Sequence, residues 1–542
     1  MTLRVTFLGG LGEIGRNCLT LEQDGQLVMV DCGLMFPEAD MLGVDLVLPD
    51  FTSVLDRSED FECVVLTHGH EDHIGALTYL LKEANVPVYG TALTLELARP
   101  RLEDNGIVPD LRPISPNEWV EHTPFRFMFV PVSHSVPQAT GVAFDTPEGI
   151  ILHSGDFKLD PTPIDGKATD LQAFAELGKR GVALLLADST NAERPGFVES
   201  EATVGEHIRE LVARAEGRVF LACFASHLHR VQQVIDAVVA DNRRFAFIGR
   251  SMLRNTEIAD DLGLLDTHRE SLLDIREVLE LPPEQVAVIS TGSQGEPYAA
   301  LSLMAVGEHR DVKLGEGDTV IISATPIPGN ETRVSRVINK LARLGVKVHH
   351  GRNAAVHVSG HAAQEELKTF YNVVRPRAMV PVHGEYRHLV ANAELAGSVG
   401  VEVSLLCEDG DAVALQDGTM RVERAAVPAG YVYVDGGEVG DVEAVLRDRR
   451  HLADDGILIV TIGVDLHSGE IVIGPDVDSH GVSDDTKDIH DAVMESVVSG
   501  VEMLERPIDS DALRRRVRNR ASKAVKTQVD RRPVVFPVVL EV

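Results

Sequence analysis

The sequence predicts an α/β protein of several domains, in which a second α/β unit is inserted into the first. Three observations support this prediction. In about the first 200 residues, strand-like apolar runs alternate with short helical segments. From Glu199 to Gly351 the strand-like runs alternate with longer amphipathic helices. At Ala378–Val382 the pattern of the first 200 residues returns, with a buried strand that leads into a polar residue. A length of 542 residues is enough for about three or four domains of ordinary size.

The first unit, residues 1–199, is expected to consist of buried strands with polar side chains at their carboxyl ends. Asp31, His68, Asp156 and Asp188 stand at the ends of such runs. Because α/β layers place their sites at this end of the strands, we expect the functional groups to lie there. The strand candidates are apolar or alternating runs that end in loops: Arg4–Leu8, Leu27–Val30, Cys63–Thr67, Phe125–Val130, Gly149–His153 and Val182–Ala187.

The second unit, residues 200–356, combines amphipathic helices with buried strands that end in Gly- or Ser-rich turns. The first unit then resumes as residues 357–446, where the strand candidate Ala378–Val382 leads directly into His383. This return indicates that one domain is inserted into another. The elements predicted for the second unit are helices at Val204–Glu216 and His229–Ala240 and strands at Val219–Cys223, Val286–Ser290 and Val320–Ser323.

The end of the chain is expected to form a small α+β domain, residues 456–542, behind a polar linker at residues 447–455 (RDRRHLADD). We expect this domain to mediate self-association as a dimer or tetramer. Its predicted elements are strands at Ile457–Val464 and Ile471–Ile473, helices at Ile489–Glu505 and Asp511–Val529, and a final strand at Pro533–Val542.

The charge balance is strongly acidic, with a net charge of −33, which taken alone argues against a nucleic-acid binder. A basic stretch, Ala512–Arg532, nevertheless carries nine Lys or Arg residues. It is either a solvated helix or a positive face on a negative body. The five cysteines are far apart and form no Cys-x-x-Cys pair, which favours a reducing compartment. No leader-like segment and no run of about 18 apolar residues is evident, so we expect a cytoplasmic protein without a membrane partner.

A cluster of metal-ligand side chains follows the strand candidate Cys63–Thr67. The cluster is His68-Gly69-His70-Glu71-Asp72-His73, and a helix is predicted behind it at Ile74–Lys82. Imidazoles and carboxylates are suitable ligands for Zn, Mn or Fe. A strand-to-helix turn lets these side chains face two adjacent metals, and we expect Gly69 to let the turn bend tightly. The alternative, a solvated His-rich loop, accounts less well for this spacing.

The His-x-His-x-Asp-His pattern resembles the metallo-β-lactamase superfamily. The rest of that family's ligand set is found in the same order: His134 in PVSHSVP, Asp156 in HSGDFK and His383 in VPVHGEYR. A lone His after a strand is more often structural than a ligand, but three such positions in the family's order reverse that expectation. The resemblance implies an αββα sandwich for the first unit.

The resemblance also implies two divalent metal ions per chain, either Zn or Mn. Asp31 would orient one of the ligand histidines. A site with two divalent cations and only two carboxylates keeps a net positive charge, so we expect an anionic substrate such as a phosphodiester. The implied ligands are His68, His70 and His134 for one ion, Asp72, His73 and His383 for the other, and Asp156 between the two.

One competing class within the superfamily is the flavodiiron oxidoreductase. Its second ligand is a Glu, where this chain has His70, and no flavin-binding domain is evident after the core. Hydrolysis is therefore the better interpretation.

Further motifs narrow the resemblance to the β-CASP nucleases. Asp188 in ADSTN, His361 in HVSGH and His383 stand where those nucleases carry their additional acidic and His motifs, and the inserted unit resembles their β-CASP domain. Over essentially the whole chain the sequence resembles the bacterial ribonuclease J family. The predicted fold class is thus a metallo-β-lactamase αββα sandwich with an inserted β-CASP α/β domain and a small C-terminal α+β domain.

The family resemblance implies a ribonuclease with 5′→3′ exonuclease and endonuclease activity that favours 5′-monophosphate ends, in RNA decay and maturation. Asp72, His361 and Asp188 would be its catalytic residues, with His361 protonating the leaving 3′-oxygen. The residues themselves indicate only a two-metal hydrolase with an anionic substrate. A DNA exonuclease, another hydrolase of this fold such as a small-molecule esterase, and a scaffold subunit of an RNA-decay complex stay open.

The loop before the helix candidate Ala362–Tyr371 is the predicted seat of an RNA phosphate. A Ser hydroxyl, a small Gly and the free N–H groups of a helix start would together form an anion pocket. The alternative is a simple Ser/Gly N-cap. The predicted substrate-binding residues are His357, Val358, Ser359, Gly360 and His361.

Two minor predictions concern other positions. Phe36 either stacks on a base or belongs to the core. Asp45 and Asp441 either hold a structural cation or are solvated acids.

Overall fold

The computed structural model describes residues 3–38, 40–327, 329–436, 438–440, 443–483 and 485–542. The chain divides into two compact units, one of residues 1–36 and 46–432 and the other of residues 37–45 and 433–542. Among the described residues, every helix is either too short or too polar to cross a membrane.

Two mixed sheets form the two β layers of the sandwich in the larger unit. The first sheet has the strand order β23-β22-β1-β3-β4-β6-β7-β8. Its strands are β1 (Leu3–Gly9), β3 (Cys18–Gln23), β4 (Gln26–Val30), β6 (Phe61–Val65), β7 (Val88–Gly90), β8 (Leu111–Pro113), β22 (Ala412–Gln416) and β23 (Thr419–Glu423).

The second sheet has the order β21-β19-β13-β12-β11-β10-β9. The interior strand β13 (Val182–Asp188) is buried along its whole length, which matches its run of six apolar residues before Asp188. The strands are β9 (Trp119–His122), β10 (Phe125–Pro131), β11 (Thr140–Thr146), β12 (Gly149–His153), β13 (Val182–Asp188), β19 (Ala378–Val382) and β21 (Val403–Ser404).

A single apolar core joins these two sheets. Val5 and Phe7 of β1 and Phe127 and Val142 of the second sheet belong to the same cluster, and each is at most 1% exposed. Helices lie outside the sheets, so the arrangement is the four-layered sandwich that was predicted. Two short strands, β2 (Leu11–Gly12) and β20 (Gly384–Glu385), pair in parallel, and β5 covers Leu46–Leu48.

The inserted part is a parallel five-stranded sheet with its own core. Its order is β15-β16-β14-β17-β18, and residues such as Phe220, Val288 and Val320 are fully or almost fully buried in it. The strands are β14 (Val219–Ala222), β15 (Arg244–Ile248), β16 (Val286–Ser290), β17 (Thr319–Ile322) and β18 (Lys347–His350).

The α-helices of the larger unit are α1 (Thr52–Leu55), α2 (Glu71–Ile74), α3 (Leu77–Glu83), α4 (Ala92–Asp104), α5 (Leu171–Arg180), α6 (Glu201–Ala213), α7 (Leu228–Ala240), α8 (Arg250–Asp261), α9 (Ile275–Leu279), α10 (Ala300–Val306), α11 (Glu331–Arg343), α12 (Gln364–Val374) and α13 (Tyr386–Ser398). Helices α6 and α7 are the two that the sequence predicts for the inserted unit.

The smaller unit is an α+β fold with two long helices packed on a three-stranded sheet of order β27-β26-β28. The elements of this unit are β24 (Val432–Asp435), β25 (Glu438–Gly440), α14 (Glu443–Asp455), β26 (Ile457–Val464), β27 (Ile471–His480), α15 (Lys487–Glu502), α16 (Ser510–Val529) and β28 (Val534–Glu541). Strand β27 extends well past Ile471–Ile473, the range that the sequence predicts.

The structure differs from the linker that was expected at residues 447–455, because this segment is the greater part of helix α14. Leu446 is 1% exposed, whereas most residues from Arg447 to Asp454 are exposed. A helix that buries so little of its surface has the polar composition of a linker, so composition alone does not distinguish the two.

Candidate metal centre

The carboxyl ends of strands from both sheets of the larger unit meet at one place. Parallel pairing sets Val65 at the end of β6 beside Val30 at the end of β4, and it sets Asp188 beside Val382. The residues that follow these strands therefore lie together, as the sequence pattern predicts.

The His-rich turn behind β6 runs directly into α2, which begins at Glu71 rather than at the predicted Ile74. Asp72 and His73 consequently lie on a helix. Gly69 does not adopt a positive φ, so the turn does not use the left-handed backbone that glycine favours. Its small size matters for packing instead, because a Cβ atom there would lie 2.6 Å from Leu97 Cδ1.

The first group of candidate ligands is made of three histidines and one carboxylate. Nδ1 of His70 lies 3.0 Å from His68 Nε2 and 3.2 Å from His134 Nε2. Asp156 Oδ2 lies 3.7 Å from His68 Nε2 and 4.0 Å from His134 Nε2. All four side chains could thus ligate one ion.

The second group shares that same carboxylate oxygen. Asp156 Oδ2 lies 3.2 Å from His73 Nε2 and 3.3 Å from His383 Nε2. Asp72 Oδ2 is 3.7 Å from His73 Nε2 and 3.9 Å from His383 Nε2. Every residue that the sequence predicts as a ligand therefore lies in one of two groups that meet at Asp156.

These residues fit divalent cations. Ligands about 2.1 Å from a tetrahedral Zn are roughly 3.4 Å from one another, which is the spacing found here. Asp156 Oδ1 is buried and has no hydrogen-bond partner within the described part of the chain. Burial lowers the pKa of His70 to about 3 and also lowers the pKa of His68 and of His134. These three imidazoles are thus held in the neutral form that binds a metal.

Asp31 fixes the orientation of His73. Its Oδ2 lies 2.7 Å from His73 Nδ1 and accepts a hydrogen bond from Thr67 Oγ1, and its Oδ1 accepts one from the Thr67 amide. With Nδ1 held in this way, His73 Nε2 faces Asp156. This is the orienting role that the sequence predicts for Asp31.

Two neighbours of Asp72 are absent from the sequence predictions. Asn17 donates from its backbone N–H to the Asp72 carbonyl at 3.0 Å, and its Nδ2 lies 3.1 Å from His73 Nε2. Gly33 passes so close that a Cβ atom there would overlap the Asp72 carbonyl oxygen, at 1.6 Å. The only sequence signal for Gly33 is its place two residues after Asp31 in the MVDCG segment.

The buried Asp188 and the partly buried His361 form a pair beside the second group. His361 Nδ1 lies 2.8 Å from Asp188 Oδ2, and both lie near His383. Burial would lower the pKa of His361, but the carboxylates of Asp188, Asp156 and Asp72 outweigh it and raise that pKa to about 9. This side chain can therefore carry a proton at neutral pH.

The loop 357–361 is folded differently from the predicted helix start. Helix α12 begins at Gln364, and the amides of Gln364 and Glu365 donate to the carbonyls of Arg194 and Gly196. The expectation that free helical N–H groups serve an anion here is wrong, because neighbouring backbone already occupies them. Ser359 is not an N-cap either: its Oγ accepts from Asn191 Nδ2 at 2.8 Å.

The remaining site predictions have separate outcomes. Phe36 is 57% exposed, which excludes a core position. Asp45 Oδ2 accepts a hydrogen bond from the Gly436 amide at 2.8 Å, and Asp441 lies outside the described residues. A cation between Asp45 and Asp441 therefore stays a prediction.

Comparison with known protein families covers nearly the whole chain. Residues 11–192 match the metallo-beta-lactamase superfamily, and residues 216–341 match the ribonuclease J beta-CASP domain. Residues 345–406 match the Zn-dependent metallo-hydrolase RNA specificity domain, and residues 444–542 match the ribonuclease J C-terminal domain. The chain is thus a metal-dependent hydrolase of the metallo-β-lactamase superfamily with a β-CASP insertion.

Full-length relatives narrow this class to one family. Ribonuclease J of Mycobacterium tuberculosis is 45% identical and aligns with 100% of this chain and 97% of its own length. Ribonuclease J of Thermus thermophilus is 41% identical over 98% and 94%, and ribonuclease J2 of Bacillus subtilis is 38% identical over 100% and 99%. The chain belongs to the ribonuclease J family and is a metal-dependent nuclease.

A solved structure supports the fold independently. The crystal structure of a protein of unknown function from Enterococcus faecalis covers 77% of this chain and 100% of its own, with a TM-score of 0.56 and 16% identity. At this identity the likeness concerns the fold alone.

Proposed function

We propose that this protein is a two-metal ribonuclease with 5′→3′ exonuclease and endonuclease activity, which favours 5′-monophosphate RNA and acts in RNA decay and maturation. One observation carries the two-metal assignment: both candidate ligand groups share the single oxygen Asp156 Oδ2. A carboxylate oxygen shared in this way suits two cations roughly 3.5–4 Å apart. Zn and Mn both fit ligands of this kind.

The ions would supply Lewis acidity and an activated water when bound. The chain's own residues set the geometry around them. Asp31 orients His73, the Gly360 carbonyl lies 2.9 Å from His134 Nδ1, and Asn17 contacts Asp72. These contacts fix the orientation of His73, His134 and Asp72 within the two ligand groups.

His361 is the proposed proton donor to the leaving 3′-oxygen. Asp188 holds its Nδ1, so Nε2 is the ring atom left to face the substrate. The carboxylates that raise the pKa of His361 also keep a proton available on it. General acids placed in this way typically contribute about 10²–10⁴-fold to rate.

The proposed seat of a 5′-phosphate is the loop of His357, Val358, Ser359, Gly360 and His361. One ring nitrogen of this loop, His357 Nδ1, is buried and has no hydrogen-bond partner among the described residues, and the nearby His227 Nε2 lies 3.5 Å from Glu201 Oε1. Their rings lie 6.2 Å apart at a right angle. Buried polar atoms of this kind require a partner, and a phosphate group would provide one.

Self-association through the C-terminal domain is supported by one face of its sheet. Phe536 and Leu540 of β28 are 60% and 43% exposed, and Ile473 of β27 is 47% exposed. The register sets Phe536 beside Ile459 of β26. An apolar face of this kind is typical of a protein contact, and we assign it to a second copy of the chain. The five cysteines are free thiols, which accords with the expected cytoplasmic location.

One digestion series tests the proposed function. An end-labelled RNA with a 5′-monophosphate or a 5′-triphosphate is incubated in EDTA, and then with Mn or Zn restored. We expect no cleavage in EDTA, and we expect mononucleotide release to be faster from the monophosphate. Equal rates at both ends would contradict the 5′-end preference, and faster cleavage of DNA of the same sequence would favour a DNA exonuclease.

A further inference from the structure

A fully buried arginine lies in the inserted domain, close to the proposed phosphate pocket. Arg230 of α7 is 0% exposed, and its partner Glu201, at the start of α6, is 2% exposed. The guanidinium donates to Glu201 Oε2, and its Nε donates to Gln233 Oε1 at 2.9 Å. A buried cation is tolerated only when it is paired and hydrogen-bonded in this way.

The same guanidinium also holds the backbone of a distant segment. The Val356 carbonyl, 126 residues further along the chain, accepts hydrogen bonds from Arg230 and from Ser323 Oγ, the latter at 2.6 Å. Arg230 in turn donates to Ser323 Oγ. Val356 directly precedes His357, the first residue of the proposed phosphate pocket. Its position is thus set from within the inserted domain.

Glu201 extends this network toward the metal centre. Its Oε1 lies 3.5 Å from His227 Nε2 and 3.9 Å from Lys158 Nζ. Lys158 is 1% exposed and follows Asp156 by two residues. The Glu201 amide also donates to Asp160 Oδ2 at 2.9 Å. One buried network therefore contacts the segment of the shared metal ligand, the inserted domain and the pocket loop.

We propose that Arg230 is a positioning residue for the 5′-phosphate: with Ser323 it fixes the Val356 carbonyl, and thereby the distance between the pocket loop and the metal centre. The inference rests on the proposed function. Arg230 does not touch the substrate. It acts through the backbone that carries His357 and Ser359, so its loss should weaken the recognition of the 5′ end more than it weakens the cleavage step.

Arg230→Lys tests this role while it keeps the positive charge beside Glu201. A single ammonium group cannot reproduce the planar fork that reaches Glu201, Ser323 and Val356 together. We expect KM for 5′-monophosphate RNA to rise about tenfold, with kcat nearly unchanged, because hydrogen bonds from a charged group are lost. The ratio of kcat/KM for 5′-monophosphate over 5′-hydroxyl RNA should fall by the same factor. Ser323→Ala, which removes the second donor to Val356, should lower that ratio in the same direction.

Arg243→Lys is the matched control. Arg243 is also buried in the inserted domain, pairs with Asp241 and donates to the carbonyls of Ala215 and Gly217, away from the pocket loop. The Arg243→Lys variant should leave unchanged the ratio of kcat/KM for 5′-monophosphate over 5′-hydroxyl RNA. An equal fall in Arg243→Lys would mean general loosening of the domain and would overturn the inference.

The same ratio is measured for the parent enzyme, because its value shows whether the proposed pocket or only the role of Arg230 is wrong. If it showed no preference for 5′-monophosphate over 5′-hydroxyl RNA, the proposed pocket would be wrong and this inference with it. If the parent showed the preference and Arg230→Lys and Ser323→Ala both kept it, the inference alone would fail. Should Arg230→Lys not fold, Ser323→Ala decides between these results, because it removes only one small hydroxyl group.

Discussion

The backbone carbonyl of Gly360 lies 2.9 Å from Nδ1 of His134. The loop proposed to bind the terminal phosphate therefore also orients a candidate metal ligand that precedes it by 226 residues. A change at Gly360 itself should consequently alter the metal centre as well as substrate recognition.

Gly360→Ala should disturb the first ligand group. The added Cβ atom would lie 2.7 Å from both Cε1 and Nδ1 of His134, so this ring would have to shift. We expect fewer bound metal ions per chain by elemental analysis and a large loss of nuclease activity. Gly351→Ala is the control, since no described heavy atom lies within 4 Å of its Cβ position. Full metal content in Gly360→Ala would argue against the placement of His134 in this group.

Asp72→Ala should empty the second ligand group and leave the fold intact. Of the two ligand groups, Asp72 belongs only to the second, where it lies near His73 and His383, and its own side chain is 30% exposed. Metal content should fall to about one ion per chain, with an unchanged circular-dichroism spectrum. Asp110→Ala, at an exposed site distant in sequence from the ligands, provides the comparison. Two tightly bound ions in Asp72→Ala would contradict the ligand assignment.

Ser359→Ala and His361→Ala should separate recognition of the 5′ end from proton transfer. Ser359→Ala removes one proposed hydrogen bond to a charged phosphate, so exonucleolytic release from 5′-monophosphate RNA should slow by about tenfold to a hundredfold at most. Endonucleolytic cuts should be affected less. His361→Ala should lower both activities, because it also removes the proposed proton donor. Equal effects of Ser359→Ala on the two activities would place the 5′-end pocket elsewhere.

Phe536→Glu should weaken self-association. Its side chain lies on the apolar face of the C-terminal sheet that is exposed, and burial of a Phe contributes about 1.5–3 kcal/mol, so the proposed dimer or tetramer should dissociate about tenfold to a hundredfold more readily. Analytical ultracentrifugation over a concentration series measures this. Val108→Glu changes another exposed apolar residue, 86% exposed, and should leave the association constant as it is. Unchanged association of Phe536→Glu would exclude this face as the interface.

The sequence predicts the strands of the sandwich and the polar positions behind them well, for a local reason. Buried strands such as Val182–Asp188 are continuous apolar runs, and the ligands follow them at once. Period and position locate these strands and the polar residues behind them, whereas the sandwich and the ligand roles of His134, Asp156 and His383 were implied by the family resemblance, and those roles stay predictions. The sharing of Asp156 Oδ2 between two groups was implied only by the family resemblance, because it depends on how strands far apart in sequence pair.

Features that depend on close approach between distant segments were not predictable. The sizes of Gly33 and Gly360 are explained by the Asp72 carbonyl and the His134 ring, which no local pattern indicates. The start of α12 was misjudged for the same reason, since Arg194 and Gly196 occupy its amides. Helix α14 was missed because its exposed residues give the segment the composition of a linker.

The order of the candidate ligands along the chain has a consequence for biosynthesis. His68 and Asp156 precede the inserted domain, whereas His383 follows it, directly after the strand that pairs with β13. A nascent chain on the ribosome therefore cannot assemble the second ligand group until the whole insertion has been synthesised. Since domains generally fold as they emerge, the inserted domain and the first ligand group can form before the second ligand group is complete.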